Sequence, residues 1–346
     1  MSEGSLLDTC SGLVVDLDGV VYRGAEAVPH AVDALNLAAD RGLPVMYATN
    51  NAGRPAAEVA SHLTELGVRT DAEHVVTSAQ AGAALLAEQL RPGEVVLAVG
   101  GPGVALALRQ VGLAPVTPQQ RIDDPAVAEQ ITAVLQGYGT ELTWTDLKEA
   151  AYAVTAGAVW MATNVDLTIP TDRGIAPGNG SAVAAVRNAV GQEPQVAGKP
   201  HPPLYTRCAD RAGGDVTTML AVGDRLDTDI EGANRTGMPS LHVLTGVDGP
   251  PALAEAEQLL RPTYLGLDLR ALQEPYVAPS VDGTDTATCG EATARLDGDA
   301  LEVSGGSPIE QVRAAVTLVW AATDAKRLTV PLPEGVRATL QRIDPR

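Results

Sequence analysis

Val14-Val15-Asp16-Leu17-Asp18-Gly19-Val20 runs from an apolar stretch into an aspartate, with a second aspartate two positions on and a glycine next. Leu13–Val15 reads as a short strand, so Asp16 and Asp18 stand where the strand stops and a loop begins. In open α/β sheets, ligands bind beyond the carboxyl ends of strands. Two carboxylates one residue apart can divide labour there: one attacks phosphorus and the other moves a proton. An Asp-x-Asp-Gly by itself is an ordinary solvated turn, so the rest of the chain has to supply its partners.

The chain on either side alternates strand and helix. Pro29–Asp40 has proline at its start, Val32, Leu35 and Ala39 at helical spacing, and Gly42 as a C-terminal cap. Strand Leu43–Ala48 leads into Thr49-Asn50-Asn51, and Pro55–Leu66 is a helix stopped by Gly67. His74–Thr77 and Ala79–Leu90 give another strand and helix. Such βαβα order implies a parallel sheet covered on both faces. Arg91-Pro92-Gly93 marks a boundary. Beyond it the pattern repeats at smaller scale: strands Val95–Val99, Ile131–Gln136 and Val159–Thr163, and helices Val104–Gln110, Thr145–Thr155 and Ser181–Val190. From Val196 the first style returns, with helix Leu204–Ala212, strand Thr218–Val222, helix Asp229–Arg235 and strand Ser240–Leu244. Pro275–Pro279 reads as a linker. The tail carries a hairpin turning at Asp297-Gly298, a helix Ile309–Ala322 and a strand Leu328–Val330.

The expected fold is therefore α/β: a Rossmann-like parallel-sheet core over 1–91 and 195–278, an inserted α/β domain over 92–194, and a small C-terminal α/β extension over 279–346. With 346 residues, two or three domains are expected. Net charge is −19, which argues against a general nucleic-acid binder and requires local cations for any anionic substrate. No apolar run reaches the roughly 18 residues of a membrane span, and no secretory signal is visible. Three widely spaced cysteines, Cys10, Cys208 and Cys289, fit a reducing, cytoplasmic setting better than a disulfide framework or a zinc site. Phenylalanine is absent, so the core must come from Val, Leu, Ala and Ile.

Four motifs fall in order, each after an apolar strand or in a loop: Asp16-Leu17-Asp18-Gly19, Thr49-Asn50-Asn51, Gly198-Lys199-Pro200, and Gly223-Asp224-Arg225-Leu226-Asp227-Thr228-Asp229-Ile230. Phosphoryl transfer needs an in-line nucleophile and neutralisation of the equatorial oxygens. Asp16 can form an aspartyl-phosphate, and Asp18 can protonate the leaving alkoxide and later accept a proton from water. Thr49 offers a hydroxyl, Asn50 an amide, and Lys199 a compact positive charge. Asp16 and Asp224, with water and phosphate oxygens, would give the all-oxygen octahedron that suits Mg²⁺. Each motif alone is common; the four in this order point to one cleft.

These stretches resemble the haloacid dehalogenase superfamily of phosphatases, in its p-nitrophenyl phosphatase-like and phosphoglycolate phosphatase-like branch. The resemblance is carried by Val15 to Gly24, Gly223 to Ile230, Ala162-Thr163-Asn164-Val165-Asp166 and Pro177-Gly178-Asn179-Gly180-Ser181, and spans roughly residues 10–275. It implies Asp16 as nucleophile and Asp18 as general acid/base. Thr49, Asn50 and Lys199 would surround the phosphoryl group. Mg²⁺ would be held by Asp16, the Asp18 backbone carbonyl and Asp224, with Asp229 supporting the ligands. The branch also places an α/β cap between the second and third motifs, where 92–194 lies, and assigns it the choice of substrate. Candidate specificity residues are Tyr138, Glu141 and Trp144 in the loop Gly137–Thr145, together with Asn164 and Asp166.

The resulting expectation is a Mg²⁺-dependent hydrolase of small phosphate monoesters. Glycerol 3-phosphate is the first substrate, with 2-phosphoglycolate, pyridoxal phosphate and sugar or nucleotide phosphates as alternatives. The rival readings are a phosphoryl transferase such as a mutase, and a catalytically silent regulatory or binding protein. The partner is a small phosphorylated metabolite rather than nucleic acid or membrane, and a homodimer is compatible with the chain. Val99-Gly100-Gly101-Pro102-Gly103 lacks the third glycine of a dinucleotide fingerprint and reads as a tight strand–helix turn. The tail lies outside the resemblance. It lacks a glycine-rich turn for a coenzyme A pyrophosphate and is read as a structural or oligomerisation element.

Overall fold

The computed structural model describes residues 4–171 and 173–346. The chain forms two compact units. One takes the chain up to Val45 and again from Gly214 to Arg346; the other is Met46–Gly213.

The first unit is built on parallel strands in the order Tyr264–Gly266, Ser240–Val243, Leu220–Gly223, Leu13–Val15. These strands read as unbroken apolar runs because a parallel sheet is buried on both faces. Val15 lies opposite Val222, and Gly223 opposite His242. Asp16, Asp224 and the turn after Val243 therefore leave the sheet at one edge, the carboxyl ends of three strands. Helix Ala31–Asp40 buries Ala31, Ala34, Leu35 and Ala38, one face at helical spacing. It starts two residues later than Pro29 because His30 takes a left-handed φ of 67°.

The tail is not a loose appendix of this unit. Strands Ser280–Asp282, Thr286–Cys289, Ala292–Asp297 and Ala300–Ser304 form an antiparallel sheet in chain order, crossed by helix Pro308–Asp324. The alternation in Ala292–Asp297 puts every second residue inside. Val312, Val316, Leu318 and Val319 share one hydrophobic core with Leu226, Ile230, Leu244, Leu253 and Leu265. Each such side chain contributes roughly 2 kcal/mol on burial. The expected linker is stitched down as well. Tyr276 Oη accepts the Leu265 N–H at 3.2 Å, and its ring lies 4.0 Å from the Arg313 guanidinium. The expected strand Leu328–Val330 is not formed. Pro331 and Pro333 flank Leu332 without an N–H for a ladder, and the Leu332 N–H goes to Glu255 Oε1 at 3.1 Å. The helix Glu334–Arg342 that follows was not visible in the sequence pattern.

In the second unit, Tyr47–Thr49 pairs in parallel with Val75–Thr77, Thr49 opposite Thr77. A five-stranded parallel sheet runs Gln195–Val196, Val159–Ala162, Ile131–Gln136, Val95–Val99, Ala114–Val116. Helices Trp144–Thr155 and Asn179–Val190 bury Ala150, Val154, Val183 and Val186 in the core of that sheet. A hairpin, Thr168–Thr171 with Gly174–Pro177, was not anticipated. The glycine run after Val99 opens helix Pro102–Gln110 with proline in its first turn, as expected of a strand–helix turn. The α/β class with parallel sheets is thus the architecture the sequence pattern called for.

Candidate active site

In the first unit the carboxylates of Asp16, Asp224 and Asp229 each place an oxygen within 4.8 Å of the others. Asp224 and Asp229 are buried and Asp16 is partly exposed. The sheet brings the first two together: the Asp16 N–H donates to the Val222 carbonyl at 2.9 Å, so both loops start from one register. Asp18 lies outside this carboxylate group. It is exposed on the turn closed by Gly19 N–H to the Tyr22 carbonyl at 2.9 Å. Gly19 has φ of 84°, and a Cβ there would sit 2.6 Å from Asp224 Oδ2. Only glycine meets both conditions.

Asp229 works on the backbone. Its Oδ2 accepts the N–H groups of Asp224 at 3.3 Å and Arg225 at 3.2 Å. For this the chain makes a π turn, Leu226–Ile230, before helix Glu231–Thr236. The helix expected from Asp229 is displaced accordingly. Single π turns are often found at functional sites.

The turn after Ser240–Val243 supplies contacts that sequence reasoning missed. Val247 N–H donates to Asp224 Oδ2 at 2.7 Å, and Asp248 N–H to the Asp224 carbonyl at 3.1 Å. Asp248 Oδ2 accepts the Leu226 N–H at 2.8 Å, and Thr245 Oγ1 donates to the Gly19 carbonyl at 2.7 Å. A Cβ on Gly246 would overlap the Asp224 carboxylate. Burial raises the Asp248 pKa, and Asp227 adds to the rise while the Leu226 N–H opposes it. His242 is fully buried with Nε2 on the Asp248 carbonyl at 3.0 Å, and burial pulls its pKa down to about 4. The signal available in the sequence was Thr245-Gly246 directly after an apolar strand, the same strand–loop placement that singled out Asp16 and Asp224.

The second unit assembles another polar group. Asn50 Oδ1 accepts the Lys199 N–H at 2.8 Å, and Asn50 Nδ2 donates to the Lys199 carbonyl at 3.1 Å and to Asp166 Oδ2 at 3.0 Å. The Asn50 carbonyl accepts from Asn164 Nδ2 at 2.6 Å and Ser78 Oγ at 2.7 Å. Thr49 Oγ1 accepts the Asn51 N–H at 3.0 Å. Lys199 and Thr49 are buried. Thr49, Asn50, Asn164, Asp166 and Lys199 thus belong to one neighbourhood, in which Asn164 and Asp166 hold Asn50. Among the described residues, Tyr138, Glu141 and Trp144 make no hydrogen bond to this group, although Tyr138 lies beside Gly53 of the loop that carries Asn50. Trp144 is 72% exposed at the start of its helix, Glu141 is exposed, and the Tyr138 carbonyl accepts the Gly101 N–H.

Residues 13–114 match the haloacid dehalogenase-like hydrolase family, and residues 196–272 match a second HAD-hydrolase-like family. The chain is 47% identical over 342 residues to a D-glycerol 3-phosphate phosphatase of Mycobacterium tuberculosis, covering 95% of this chain and 93% of that protein. It is 35% identical to an acid sugar phosphatase of Staphylococcus aureus, covering 68% of this chain and 86% of the relative. Among solved structures it is similar to a glycerol phosphate phosphatase from Mycobacterium tuberculosis in complex with magnesium, with TM-score 0.83, 43% identity and 98% coverage of both chains. A thermostable phosphatase mutant (NPPase) from Geobacillus stearothermophilus superposes with TM-score 0.67 and 29% identity, covering 76% of this chain and 97% of that one. The chain belongs to the haloacid dehalogenase-like hydrolases. Within that family it is a phosphatase, a phosphoric monoester hydrolase. No helix among the described residues is long and apolar enough to cross a membrane.

Proposed function

We propose that the chain hydrolyses glycerol 3-phosphate through an aspartyl-phosphate on Asp16, with Mg²⁺ held by Asp16, the Asp18 backbone carbonyl and Asp224. The observation that carries this reading is the meeting of the Asp16, Asp224 and Asp229 carboxylates within 4.8 Å at the carboxyl ends of parallel strands. Such a set suits a hard cation: the donors are all oxygen, and Gly19 and Gly246 leave the space around Asp224 that a Cβ would fill. When bound, the ion offsets the charge of carboxylates and phosphate in one cleft.

The residues divide the rest of the work. Asp16 attacks phosphorus, and the bond to the glycerol oxygen breaks as Asp18 protonates that oxygen. Asp18, now a carboxylate, takes a proton from the water that attacks the aspartyl-phosphate, and Asp16 and inorganic phosphate are released. Thr49, Asn50 and Lys199 hold the phosphoryl oxygens. Asp229 keeps the Asp224 backbone in place. Residues 92–194 form the substrate-choosing cap on the core of 1–91 and 195–278, with Tyr138, Glu141, Trp144, Asn164 and Asp166 as its candidates. The full-length likeness to a glycerol 3-phosphate phosphatase supports that substrate over sugar phosphates. The free thiols of Cys10, Cys208 and Cys289 support a cytoplasmic setting. A homodimer remains the assembly to test by light scattering.

Phosphate release from glycerol 3-phosphate, in water alone, is the direct experiment. Asp16→Asn should abolish it with the circular dichroism spectrum unchanged, and Asp18→Asn should lower kcat by about 10²–10⁴. EDTA should stop turnover and Mg²⁺ restore it. An active Asp16→Asn protein would overturn the mechanism, and failure on a panel of polyol, acid and sugar phosphates would favour the silent binding protein.

A further inference from the structure

The loop Thr245–Gly249 grips the Asp224 loop on its inner side, and the end of the tail grips the Thr245–Gly249 loop on its outer side. On the inner side, Val247 N–H holds Asp224 Oδ2, Asp248 N–H holds the Asp224 carbonyl, and Thr245 Oγ1 holds the Gly19 carbonyl. On the outer side, Arg346 Nη1 donates to the Gly246 carbonyl at 3.2 Å and the Val247 carbonyl at 3.0 Å. The Arg346 guanidinium is itself aimed by Asp344, which accepts from Nε at 2.9 Å and Nη2 at 2.7 Å. Asp344 follows helix Glu334–Arg342, which is anchored by buried Val336 and Leu340 and by Thr339 Oγ1 on the Leu301 carbonyl at 2.9 Å. A continuous chain of contacts therefore runs from the tail sheet to a carboxylate of the site.

The loop needs such a brace. Its one large apolar side chain, Val247, is 62% exposed, so burial does not hold the loop down. Its rigidity comes from hydrogen bonds, and loosely packed exposed segments open at low cost. Two guanidiniums supply outer contacts: Arg346 at Gly246 and Val247, and Arg23 at the Thr245 carbonyl. With both Val247 groups engaged, the carbonyl by Arg346 and the N–H by Asp224, the peptide units around Val247 can turn away from Asp224 only by breaking a charge-assisted hydrogen bond. Such bonds are roughly twice as strong as neutral ones.

We propose that Arg346 is a positioning residue for the metal site: through Gly246 and Val247 it sets the orientation of the Asp224 carboxylate, and the C-terminal tail thereby tunes Mg²⁺ affinity. The inference rests on the reading of Asp224 as a Mg²⁺ ligand. It assigns the tail a role that neither a separate catalytic module nor a passive surface would have. Groups that orient metal ligands typically change metal affinity by 10- to 100-fold when removed. Arg23 remains in place at Thr245, so the low end applies.

The test is Mg²⁺ titration calorimetry on the full-length protein without substrate, comparing wild type, Arg346→Ala and Arg346→Lys, with amide hydrogen exchange at Val247. Arg346→Ala should weaken Mg²⁺ binding about tenfold and speed exchange at Val247, while KM for glycerol 3-phosphate at saturating Mg²⁺ stays near wild type. Arg346→Lys, which keeps a donor but loses the fork, should fall between the two. Asp344→Asn weakens the aim of the guanidinium without removing it. Read on the same titration, it keeps the test independent of any folding defect in Arg346→Ala. Equal Mg²⁺ affinity and equal Val247 exchange in wild type and variants would overturn the role of Arg346 alone. Absence of Mg²⁺ binding by the wild type would instead overturn the reading of the site.

Discussion

Asn50 pairs its carboxamide with the backbone of Lys199 in both directions, accepting the N–H at 2.8 Å and donating to the carbonyl at 3.1 Å. A side chain from the loop after one strand thus closes the kind of two-bond pairing that neighbouring strands make, across 149 residues of sequence. Lys199 is 3% exposed, so its backbone has little access to water as a substitute partner. Asn50→Ala should therefore cost about 1–3 kcal/mol in stability, the penalty of a buried group left unpaired. It should also lower kcat/KM. Urea unfolding and phosphate-release kinetics on the same preparation check both. Asn50→Asp should be worse, because it sets a carboxylate against the Lys199 carbonyl and Asp166.

Gly246→Ala tests the packing around Asp224. The added methyl would overlap the Asp224 carboxylate, so the aspartate or the loop must shift. Mg²⁺ affinity should fall by about 10- to 100-fold with the fold retained, read by calorimetry and circular dichroism. A variant that binds Mg²⁺ as wild type would show that this close approach has no functional weight.

Acid should destabilise the first unit through His242. Burial lowers its pKa from 6.5 to about 4 in the folded chain; Asp229 opposes that shift and Arg346 reinforces it. The folded pKa lies below the unfolded one, so this contribution is full above pH 6.5 and is lost as pH falls towards 4. The loss amounts to roughly 3 kcal/mol at the low end. Urea midpoints measured from pH 7 to pH 4 should fall along this course, and His242→Gln should flatten that part of the profile.

The tail should prove inseparable from the catalytic unit. Leu318 lies fully buried in the core shared with Leu253 and Leu265, and Trp320 Nε1 donates to the Leu253 carbonyl at 2.7 Å. Leu318→Ala should cost about 2–5 kcal/mol. Cutting the chain before Ser280 should give insoluble protein rather than an active core. Soluble, active protein from that truncation would overturn this account of the tail.

Much of this was legible in the chain itself. Leu13–Val15 and Val95–Val99 are apolar runs of strand length ended by glycine or aspartate, and both form strands at the expected places. Asp16 and Asp224 are found together because strand ends in a parallel sheet point the same way. Less legible were elements whose signal is not periodic. The π turn at Leu226–Ile230 exists because Asp229 takes two backbone N–H groups, which no spacing rule encodes. The strand read at Leu328–Val330 failed because short apolar runs carry no information about who will accept their hydrogen bonds.

Asn164 and Asp166 show the same limit at the candidate site. The phosphatase resemblance offers them as specificity candidates, and only the fold shows that their side chains also engage Asn50. The role of the tail was out of reach for a related reason. Hydrophobic periodicity marks a face to be buried but not its partner, and only the fold lays helix Pro308–Asp324 on Leu253 and Leu265.

By itself the sequence determined the class of chemistry: the acids, the amide and the lysine, their order, and their placement at strand ends are local properties of the chain. Tertiary structure alone decided which backbone groups hold those side chains. Val247 on Asp224, Asn50 on Lys199 and Arg346 on Val247 are hydrogen bonds between residues far apart in sequence, and such pairings are set by packing rather than by any local pattern.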